Sequence, residues 1–387
     1  PAMRSLGLVT IIGMACVVLM AYYLPPLIFR WLTRKGDAVR TVPITLGRLL
    51  RSVLSIVVFA LACWLFMIPY TWLLGLRYRD ERVRRQHIHR CLHSILRFFA
   101  HHIPGVDTRV ENPFDEHFDQ PAVIIANHQS HLDLMCIMAV TDKVIFLTND
   151  WVWHNPLYGY FIRQAGFLPA STGLDTNVDA LRKLFAEGYS VCIFPEGTRT
   201  HDGTIGHFYR GAFYLAEQLG VDVLPLFIHG AYHVLPKHDF MLRPGSITLR
   251  IERRITPDDP TYGPDYRRRT SHIHNYYVSH YARLCQELQT PSYWLRLVSY
   301  QYRYKGRNVY QRFRHDMATY DAQAVCLTND TTQGLHPLLY ALTHPDSQVN
   351  ATIADADDLM LACHLALLPP NLHFQPMQTT DPCDDRS

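Results

Sequence analysis

Two long uncharged runs near the amino terminus restrict what this chain can fold into more than any other feature. Residues 5–29 and residues 52–76 contain no Asp, Glu, Lys or Arg, and each run is 25 residues long. A helix needs about 20 apolar residues to cross the hydrocarbon core of a bilayer. We therefore predict membrane attachment rather than two buried helices of a soluble domain, with a transmembrane helix within residues 1–36.

Basic residues flank the second run on both sides. They are Arg30, Arg34, Lys35, Arg40, Arg48 and Arg51 before it, and Arg77, Arg79, Arg82, Arg84, Arg85 and Arg90 after it. Basic loops prefer the cytoplasmic side of a membrane, so both ends of this run favour the same side. Residues 46–103 are therefore predicted to hold a membrane-embedded or re-entrant helix and a basic linker helix that can lie on anionic head groups. A solvated basic linker explains the same charges equally well.

Charge and cysteine content exclude several other classes of protein. The formal net charge is only +3, and no basic motif interleaved with aromatic residues is present, so we expect no nucleic-acid partner. The nine cysteines include no C-x-x-C pair, which argues against a disulfide framework or a zinc knuckle and fits a reducing compartment. We expect the main domain on the cytoplasmic side of the inner membrane.

From about residue 104, short β-branched runs alternate with stretches that suit helices. The predicted strands are residues 122–126, 143–147, 190–194, 222–228 and 246–251, and the predicted helices include residues 176–187 and 211–219. This alternation predicts a layered α/β domain. Polar clusters follow two of the predicted strands, where such folds place their functional sites.

The first polar cluster contains Asn127, His128 and Asp133. On a continuous helix, residues five apart point about 140° away from each other, so His128 and Asp133 meet only if His128 lies in the turn before the helix. A carboxylate bonded to one ring nitrogen makes the other nitrogen more basic, as a general base requires. Two alternatives remain open. One is a helix-start histidine beside an acid favoured by the helix dipole. The other is a metal site that includes His131, although its spacing matches no zinc motif.

The second polar cluster is residues 194–199, Phe-Pro-Glu-Gly-Thr-Arg. Gly197 permits an unusual backbone conformation or a close approach, and Arg199 offers a planar group with several donors that suits phosphate. Thr198 can donate a hydrogen bond, and Glu196 can accept one from a substrate hydroxyl. A plain surface turn would explain Gly197 and Arg199 equally well. The ordered pair of clusters is more specific, and it predicts a base beside a phosphate clamp.

Over residues 104–255 this pair of motifs resembles the lysophosphatidic acid acyltransferase (1-acylglycerol-3-phosphate acyltransferase) family. The resemblance implies a mixed-sheet α/β glycerolipid acyltransferase domain at residues 104–290. It implies that His128 is the general base, that Asp133 orients it, and that Pro225 lies in the family's fourth sequence block. The expected substrate-binding residues are Asn127, Glu196, Gly197, Thr198, Arg199 and Pro225.

The resemblance also implies the reaction. A fatty acyl group would move from acyl-CoA or acyl carrier protein to the free hydroxyl of a lyso-glycerophospholipid, 1-acylglycerol-3-phosphate, with no cofactor and no metal. Three alternatives stay open: acylation of a lyso amino-acid lipid, a non-catalytic lipid-binding module attached to an exporter, and a metal-dependent hydrolase. The chain departs from the family at residues 166–171, which lack the arginine usual in the second block. Arg163 and Lys143 are candidates to replace it.

The flanking segments resemble other families. Residues 4–27 are similar to the last transmembrane helix of resistance-nodulation-division (MMPL-type) exporters, and residues 147–153 and 211–218 are similar to acyltransferases fused to such exporters. In those fusions a methyltransferase-like domain follows, and residues 304–306 and 353–358 resemble parts of it. A cofactor-binding turn needs several glycines, whereas residues 328–334 contain one. We therefore predict a degenerate or truncated Rossmann-like region at residues 291–387 that binds no cofactor.

Overall fold

The structure is a computed structural model. It describes residues 46–148, 150–155, 159–169, 174–237, 239–302, 326–327, 330–363 and 368–377, together with residues 20, 23 and 27 and two short paired strands, Arg34–Lys35 and Ala38–Val39. The chain divides into two compact units, residues 50–297 and residues 1–49 with 298–387. Most of the predicted transmembrane helix within residues 1–36 lies outside the described residues, and so do residues 304–306. The domain boundaries at residues 36, 46, 104 and 291 stay predictions.

A seven-stranded sheet forms the core of residues 50–297. Its strands in chain order are β1 (Val106–Glu111), β2 (Val123–Ala126), β3 (Val144–Thr148), β4 (Leu168–Pro169), β5 (Ser190–Ile193), β6 (Val223–His229) and β7 (Gly245–Ile251). Their order across the sheet is β1-β7-β6-β2-β5-β3-β4. Neighbouring strands are parallel except β6 and β7, so β1 and β7 run opposite to the other five. The expected mixed sheet is confirmed.

The five predicted strands are present, with ends within one residue of the expected positions. They were readable because they lie inside the sheet, where every residue of β2 and β6 is buried and apolar side chains therefore dominate. The sequence analysis missed the two edge strands. β1 is half exposed and carries Asp107, Arg109 and Glu111, and β4 has only two residues, so neither has a distinct hydrophobic pattern.

Helices pack around this sheet. Their bounds in chain order are α1 (Leu46–Leu61), a π-helical segment (Ala62–Met67), α2 (Ile68–Arg77), α3 (Glu81–His102), α4 (Leu132–Met138), α5 (Asp150–Trp153), α6 (Gly159–Gln164), α7 (Leu174–Ala186), α8 (Gly211–Leu219), α9 (Ala231–Val234), α10 (Tyr266–Leu288) and α11 (Pro291–Tyr302). The predicted helices correspond to α7 and α8. The long helix α10 begins at Asp265, whose side chain accepts hydrogen bonds from the N–H groups of Arg267 and Arg268.

The segment that contains the second uncharged run is helical and largely exposed. Among the described residues, Leu49–Arg77 is the one helical stretch long and apolar enough to cross a membrane, and an 18-residue window within it has a mean hydropathy of 2.4. A minor face packs on the domain: Met67, Thr71 and Leu74 are buried, and Ser52 Oγ accepts a hydrogen bond from the Leu242 N–H at 3.1 Å. The predicted basic helix follows as α3. Whether the apolar stretch spans the membrane, re-enters it or lies on it stays a prediction.

The other unit contains a small parallel sheet. Strands β8 (Cys326–Leu327), β9 (Val349–Ile353) and β10 (Leu372–Pro376) lie in that order, with helices α12 (Leu335–Thr343) and α13 (Ala356–Cys363) between them in the chain. This arrangement fits part of a Rossmann-like region. Gly334, with φ +82°, serves packing, because a Cβ there would lie 2.6 Å from the Cβ of Ala362. Asp355 accepts a hydrogen bond from the Asp358 N–H and so caps α13.

Candidate active site

The carboxyl ends of β2, β5 and β6 lie side by side and bring the two polar clusters together. Asn127 directly follows β2, and its side chain bridges to β6. Its Nδ2 donates to the carbonyl oxygen of Ile228 at 2.8 Å, and its Oδ1 accepts from the Ile228 N–H at 2.8 Å. The side chain is buried, and its two hydrogen bonds extend the pairing between β2 and β6. Asn127 therefore fixes the start of the turn that carries His128.

His128 and Asp133 are in direct contact. His128 Nδ1 lies 2.8 Å from Asp133 Oδ2, and the same oxygen accepts hydrogen bonds from the N–H groups of Gln129 at 2.7 Å and Ser130 at 2.8 Å. His128 lies in the turn and Asp133 in the first turn of α4, which is the arrangement expected from their spacing. A carboxylate oxygen held by two N–H donors is an acceptor, so Nδ1 donates to it. The lone pair of the imidazole is therefore on Nε2.

Phe194 holds the other side of the imidazole. The rings of His128 and Phe194 are stacked, with centroids 4.0 Å apart and an angle of 16° between their planes. Phe194 is in turn stacked near Phe146, which is buried in β3. The His128 side chain is 18% exposed, whereas Asp133 is fully buried. The ring is therefore fixed on one edge and one face but remains open to a reactant.

Glu196 holds the backbone of the His128 turn. Its Oε1 accepts from the His128 N–H and its Oε2 from the Gly206 N–H, both at 2.8 Å. The side chain is buried, which raises the pKa of Glu196 above its usual value, while the two N–H donors oppose that rise. We expected Glu196 to accept a hydrogen bond from a substrate hydroxyl. Both oxygens accept hydrogen bonds from backbone N–H groups, so Glu196 holds the His128 turn; a contact with a substrate hydroxyl stays a prediction.

The rest of the second cluster is an exposed turn beside His128. Gly197 has φ +67°, and a Cβ there would lie 3.2 Å from the ring of Tyr209, so the position suits glycine. Thr198 is exposed, and the Thr200 N–H donates to the carbonyl oxygen of His128 at 2.8 Å. Arg199 Nη1 is buried and has no hydrogen-bond acceptor within the part of the chain that the structure describes. Burial lowers the pKa of Arg199, and the charge of Asp133 opposes this.

Pro225 does not join the other predicted site residues. It lies within β6, paired in register with Ile125 of β2, and it is buried. Its carbonyl oxygen accepts from the Glu252 N–H at 3.0 Å. Its position is that of a core residue of the sheet, so a direct contact with substrate has no support from its surroundings.

Lys143 is not placed to act with this cluster, and Arg163 is bonded to the backbone of α5. Lys143 directly precedes β3 and so lies at the amino end of this strand, whereas His128 lies beyond the carboxyl end of β2, which runs in the same direction. The Nζ of Lys143 pairs with Asp119 Oδ1 at 3.3 Å. The two ends of a strand as long as β3 are about 16 Å apart. Arg163 donates through Nη1 to the carbonyl oxygen of Trp153 at 2.6 Å. The cation that does contact the second cluster is Lys237, to which no sequence motif pointed.

The serine and the cysteine that follow His128 in the chain, Ser130 and Cys136, are hydrogen-bonded or buried. Ser130 Oγ donates to the carbonyl oxygen of Leu235 at 2.8 Å. Cys136 and Cys192 are buried, and burial raises the pKa of both thiols. Among the described residues, no three His, Cys, Asp or Glu side chains are grouped as a metal site requires. The arrangement provides an imidazole, that of His128, whose Nδ1 is held by Asp133 and which lies beside the turn that carries Arg199.

Comparison with known proteins adds independent information. Residues 106–229 match the family model described as Acyltransferase. The chain is 31% identical over 168 residues to the chloroplastic 1-acyl-sn-glycerol-3-phosphate acyltransferase of Arabidopsis thaliana, a match that covers 42% of this chain and 45% of that protein. It is 30% identical over 181 residues to the human 1-acyl-sn-glycerol-3-phosphate acyltransferase alpha, covering 43% of this chain and 64% of that protein. In both cases the match spans less than two thirds of the relative.

The fold also has a counterpart among solved structures. The crystal structure of the 1-acyl-sn-glycerophosphate (LPA) acyltransferase PlsC from Thermotoga maritima aligns with a TM-score of 0.50 and 22% sequence identity. The alignment covers 60% of this chain and 97% of that chain. At this identity the likeness shows the fold, and it agrees with the acyltransferase-type α/β domain expected from the sequence.

Proposed function

We propose that this chain, whose residues 106–229 form an acyltransferase-family domain, moves a fatty acyl group from acyl-CoA or acyl carrier protein to a lyso-glycerophospholipid. The acceptor is 1-acylglycerol-3-phosphate, the class of acceptor in the names of the relatives. The observation that carries the proposal is the 2.8 Å contact between His128 and Asp133 beside the Thr198–Arg199 turn. A base and a cationic turn at one edge of a sheet are what transfer to a phosphorylated alcohol requires.

The reaction proceeds by direct transfer. His128 Nε2 takes the proton of the acceptor hydroxyl while the hydroxyl oxygen attacks the thioester carbonyl carbon, and Asp133 stabilises the resulting imidazolium. Donors of the second cluster stabilise the oxyanion. The carbon–sulfur bond then breaks, and the thiolate leaves with the proton from His128. The products are the new ester and a free thiol.

No covalent intermediate or cofactor is needed in this scheme. The hydroxyl and the thiol that follow His128 most closely in the chain are those of Ser130, which is bonded to a backbone carbonyl, and Cys136, which is buried with a raised thiol pKa. A thioester already carries an activated acyl group. The acyl donor is therefore a substrate, and the protein supplies the base, the donors and the orientation.

Membrane attachment completes the proposal. The apolar face of residues 49–77 would keep the domain on the cytoplasmic side of the inner membrane, where the lyso-lipid acceptor lies in the bilayer. Basic residues of α3 can add attraction to anionic head groups. We further propose that residues 1–36 derive from an exporter-type transmembrane helix and that residues 291–387 are a degenerate methyltransferase-like region.

The test is acyl transfer by membranes that contain the chain, measured with labelled acyl-CoA or acyl carrier protein and 1-acylglycerol-3-phosphate. A general base contributes about 10²–10⁴-fold to a rate, so His128→Ala should lower turnover by at least the smaller factor. His117→Ala is the matched control, because His117 also pairs with an acid, Asp115 at 3.2 Å, but on an exposed loop. His117→Ala should keep wild-type turnover.

Three results would contradict the proposal. Substantial turnover by His128→Ala would remove the base from the mechanism. A wild-type chain that acylates a lyso amino-acid lipid but not 1-acylglycerol-3-phosphate would keep the chemistry and change the acceptor. A chain that binds lipid without turnover would be a binding module instead.

A further inference from the structure

The ammonium group of Lys237 is held by three neutral acceptors. Its Nζ donates to Thr198 Oγ1 at 3.0 Å and to the carbonyl oxygen of Arg199 at 3.1 Å, and it lies 3.0 Å from His201 Nε2. An ammonium group can only donate, so His201 Nε2 accepts and the imidazole is neutral. Lys237 is thus the charged member of this set of contacts.

The acids near Lys237 are engaged elsewhere. Asp239 pairs with Arg243 at 3.4 Å. Asp202 accepts hydrogen bonds from Thr200 and Thr204. No ion pair joins Lys237 to a carboxylate among the described residues. Its positive charge is therefore not compensated by a neighbouring acid.

A second cation lies on the same turn. Arg199 is the residue whose carbonyl oxygen Lys237 contacts, and its buried Nη1 has no acceptor within the described part of the chain. A buried donor without a partner is unfavourable, and an anionic ligand would relieve that cost. Thr200, the next residue, donates its N–H to the carbonyl oxygen of His128. Two cationic residues from separate segments therefore lie on or against the turn whose next residue, Thr200, is bonded to His128.

We propose that Lys237 determines acceptor specificity by binding the phosphate group of the lyso-lipid together with Arg199. The inference rests on the proposed function, and it assigns the phosphate site that residues 166–171 leave without an arginine. The ammonium exchanges one neutral acceptor for a phosphate oxygen. Thr198, released from Lys237, can then donate its hydroxyl hydrogen to the same phosphate. Lys237 lies on the segment after β6, so the phosphate is bound between two strand ends.

The experiment separates charge from structure at this position. Lys237→Met removes the charge at nearly constant length, and Lys237→Arg keeps it. A charged hydrogen bond contributes about 1.5–3 kcal/mol, so Lys237→Met should raise KM for 1-acylglycerol-3-phosphate by about 10–100-fold with kcat nearly unchanged. Lys237→Arg should restore most of the affinity. Lys143→Met, at the opposite edge of the sheet, is the matched control and should behave as wild type.

The possible outcomes are distinct. A fall in kcat at constant KM for Lys237→Met would show that Lys237 only stabilises the turn. This result would overturn the inference. Wild-type kinetics for Lys237→Met would overturn it as well, while the proposed function stands. If Lys237→Met does not fold, Lys237→Gln, which can still donate to Thr198, must show the rise in KM. A wild-type chain without activity on this acceptor would refute the proposed function and this inference together.

Discussion

We expect Asn127→Ala to destabilise the fold strongly and to leave acceptor binding unchanged. The Asn127 side chain is only 1% exposed, and both of its polar groups are bonded to the backbone of Ile228. Alanine would remove both partners and leave the N–H and C=O of Ile228 buried without hydrogen bonds. The sequence analysis placed Asn127 among the substrate-binding residues, so this variant separates a role in the sheet from a role in binding.

The magnitude follows from the two lost contacts. An unsatisfied buried polar group costs about 1–3 kcal/mol, so Asn127→Ala should lower the free energy of unfolding by about 2–6 kcal/mol. For units of about 150–250 residues, each kcal/mol lowers Tm by about 2–4 °C, which gives a fall of about 4–24 °C.

Asn112→Ala provides a matched control. Asn112 makes the same pair of contacts, with Nδ2 donating to the Glu116 carbonyl oxygen at 3.0 Å and Oδ1 accepting from the Glu116 N–H at 2.9 Å. Asn112 is exposed, so water can replace both bonds. The loss should therefore stay below about 2 kcal/mol.

The assay is thermal unfolding followed by circular dichroism in detergent, together with KM for 1-acylglycerol-3-phosphate below the transition. The order of Tm should be wild type, then Asn112→Ala, then Asn127→Ala. The reasoning is refuted if Asn127→Ala unfolds no earlier than Asn112→Ala while its KM rises several-fold, because that pattern belongs to a substrate contact.

One further prediction concerns the turn that carries His128, and another concerns two histidines with lowered pKa values. In Glu196→Gln one N–H, of His128 or Gly206, would face an amide donor instead of a carboxylate, so kcat should fall by about 10-fold with KM unchanged, since one hydrogen bond is lost. Glu217→Gln, an exposed residue that also accepts from a backbone N–H, should have no such effect, and a rise in KM for Glu196→Gln would indicate a substrate contact instead. Burial lowers the pKa of His229 to about 4 and that of His233 to about 3. Both are neutral in the fold but bind protons near pH 6.5 when unfolded, so stability should fall as the pH drops from 6.5 towards 4, by up to about 1.4 kcal/mol per pH unit for each histidine. Denaturant titrations across this range should give a shallower slope for His229→Gln, and equal slopes would rule out His229 as a source of the acid sensitivity.

Much of the fold was readable from the chain because the signals are local. Short β-branched runs that alternate with helical stretches located five of the seven strands, and buried parallel strands such as β2 and β6 are largely apolar. The meeting of His128 and Asp133 could also be predicted, since five residues of a turn and a helix start confine the geometry. The edge strands escaped because an exposed or very short strand has no such pattern.

The roles of the remaining site residues could not be predicted in the same way. Glu196 was expected to face substrate, but its partners are backbone groups of two other turns. Pro225 was expected to bind substrate, but it is buried within β6. Lys143 had the right charge for a replacement cation, but it lies at the amino end of β3, where it pairs with Asp119.

The amino-acid sequence by itself determined the α/β alternation, the apolar helix of residues 49–77 and the His128–Asp133 pair, because each depends on residues close together in the chain. Only the tertiary structure decided that Asn127 bonds to Ile228, that Glu196 braces the His128 turn, and that Lys237 reaches Thr198. The physical reason is that a hydrogen bond depends on distance and direction in space. Parallel strands bring together residues that are far apart in the chain, and no local pattern records which of them will meet.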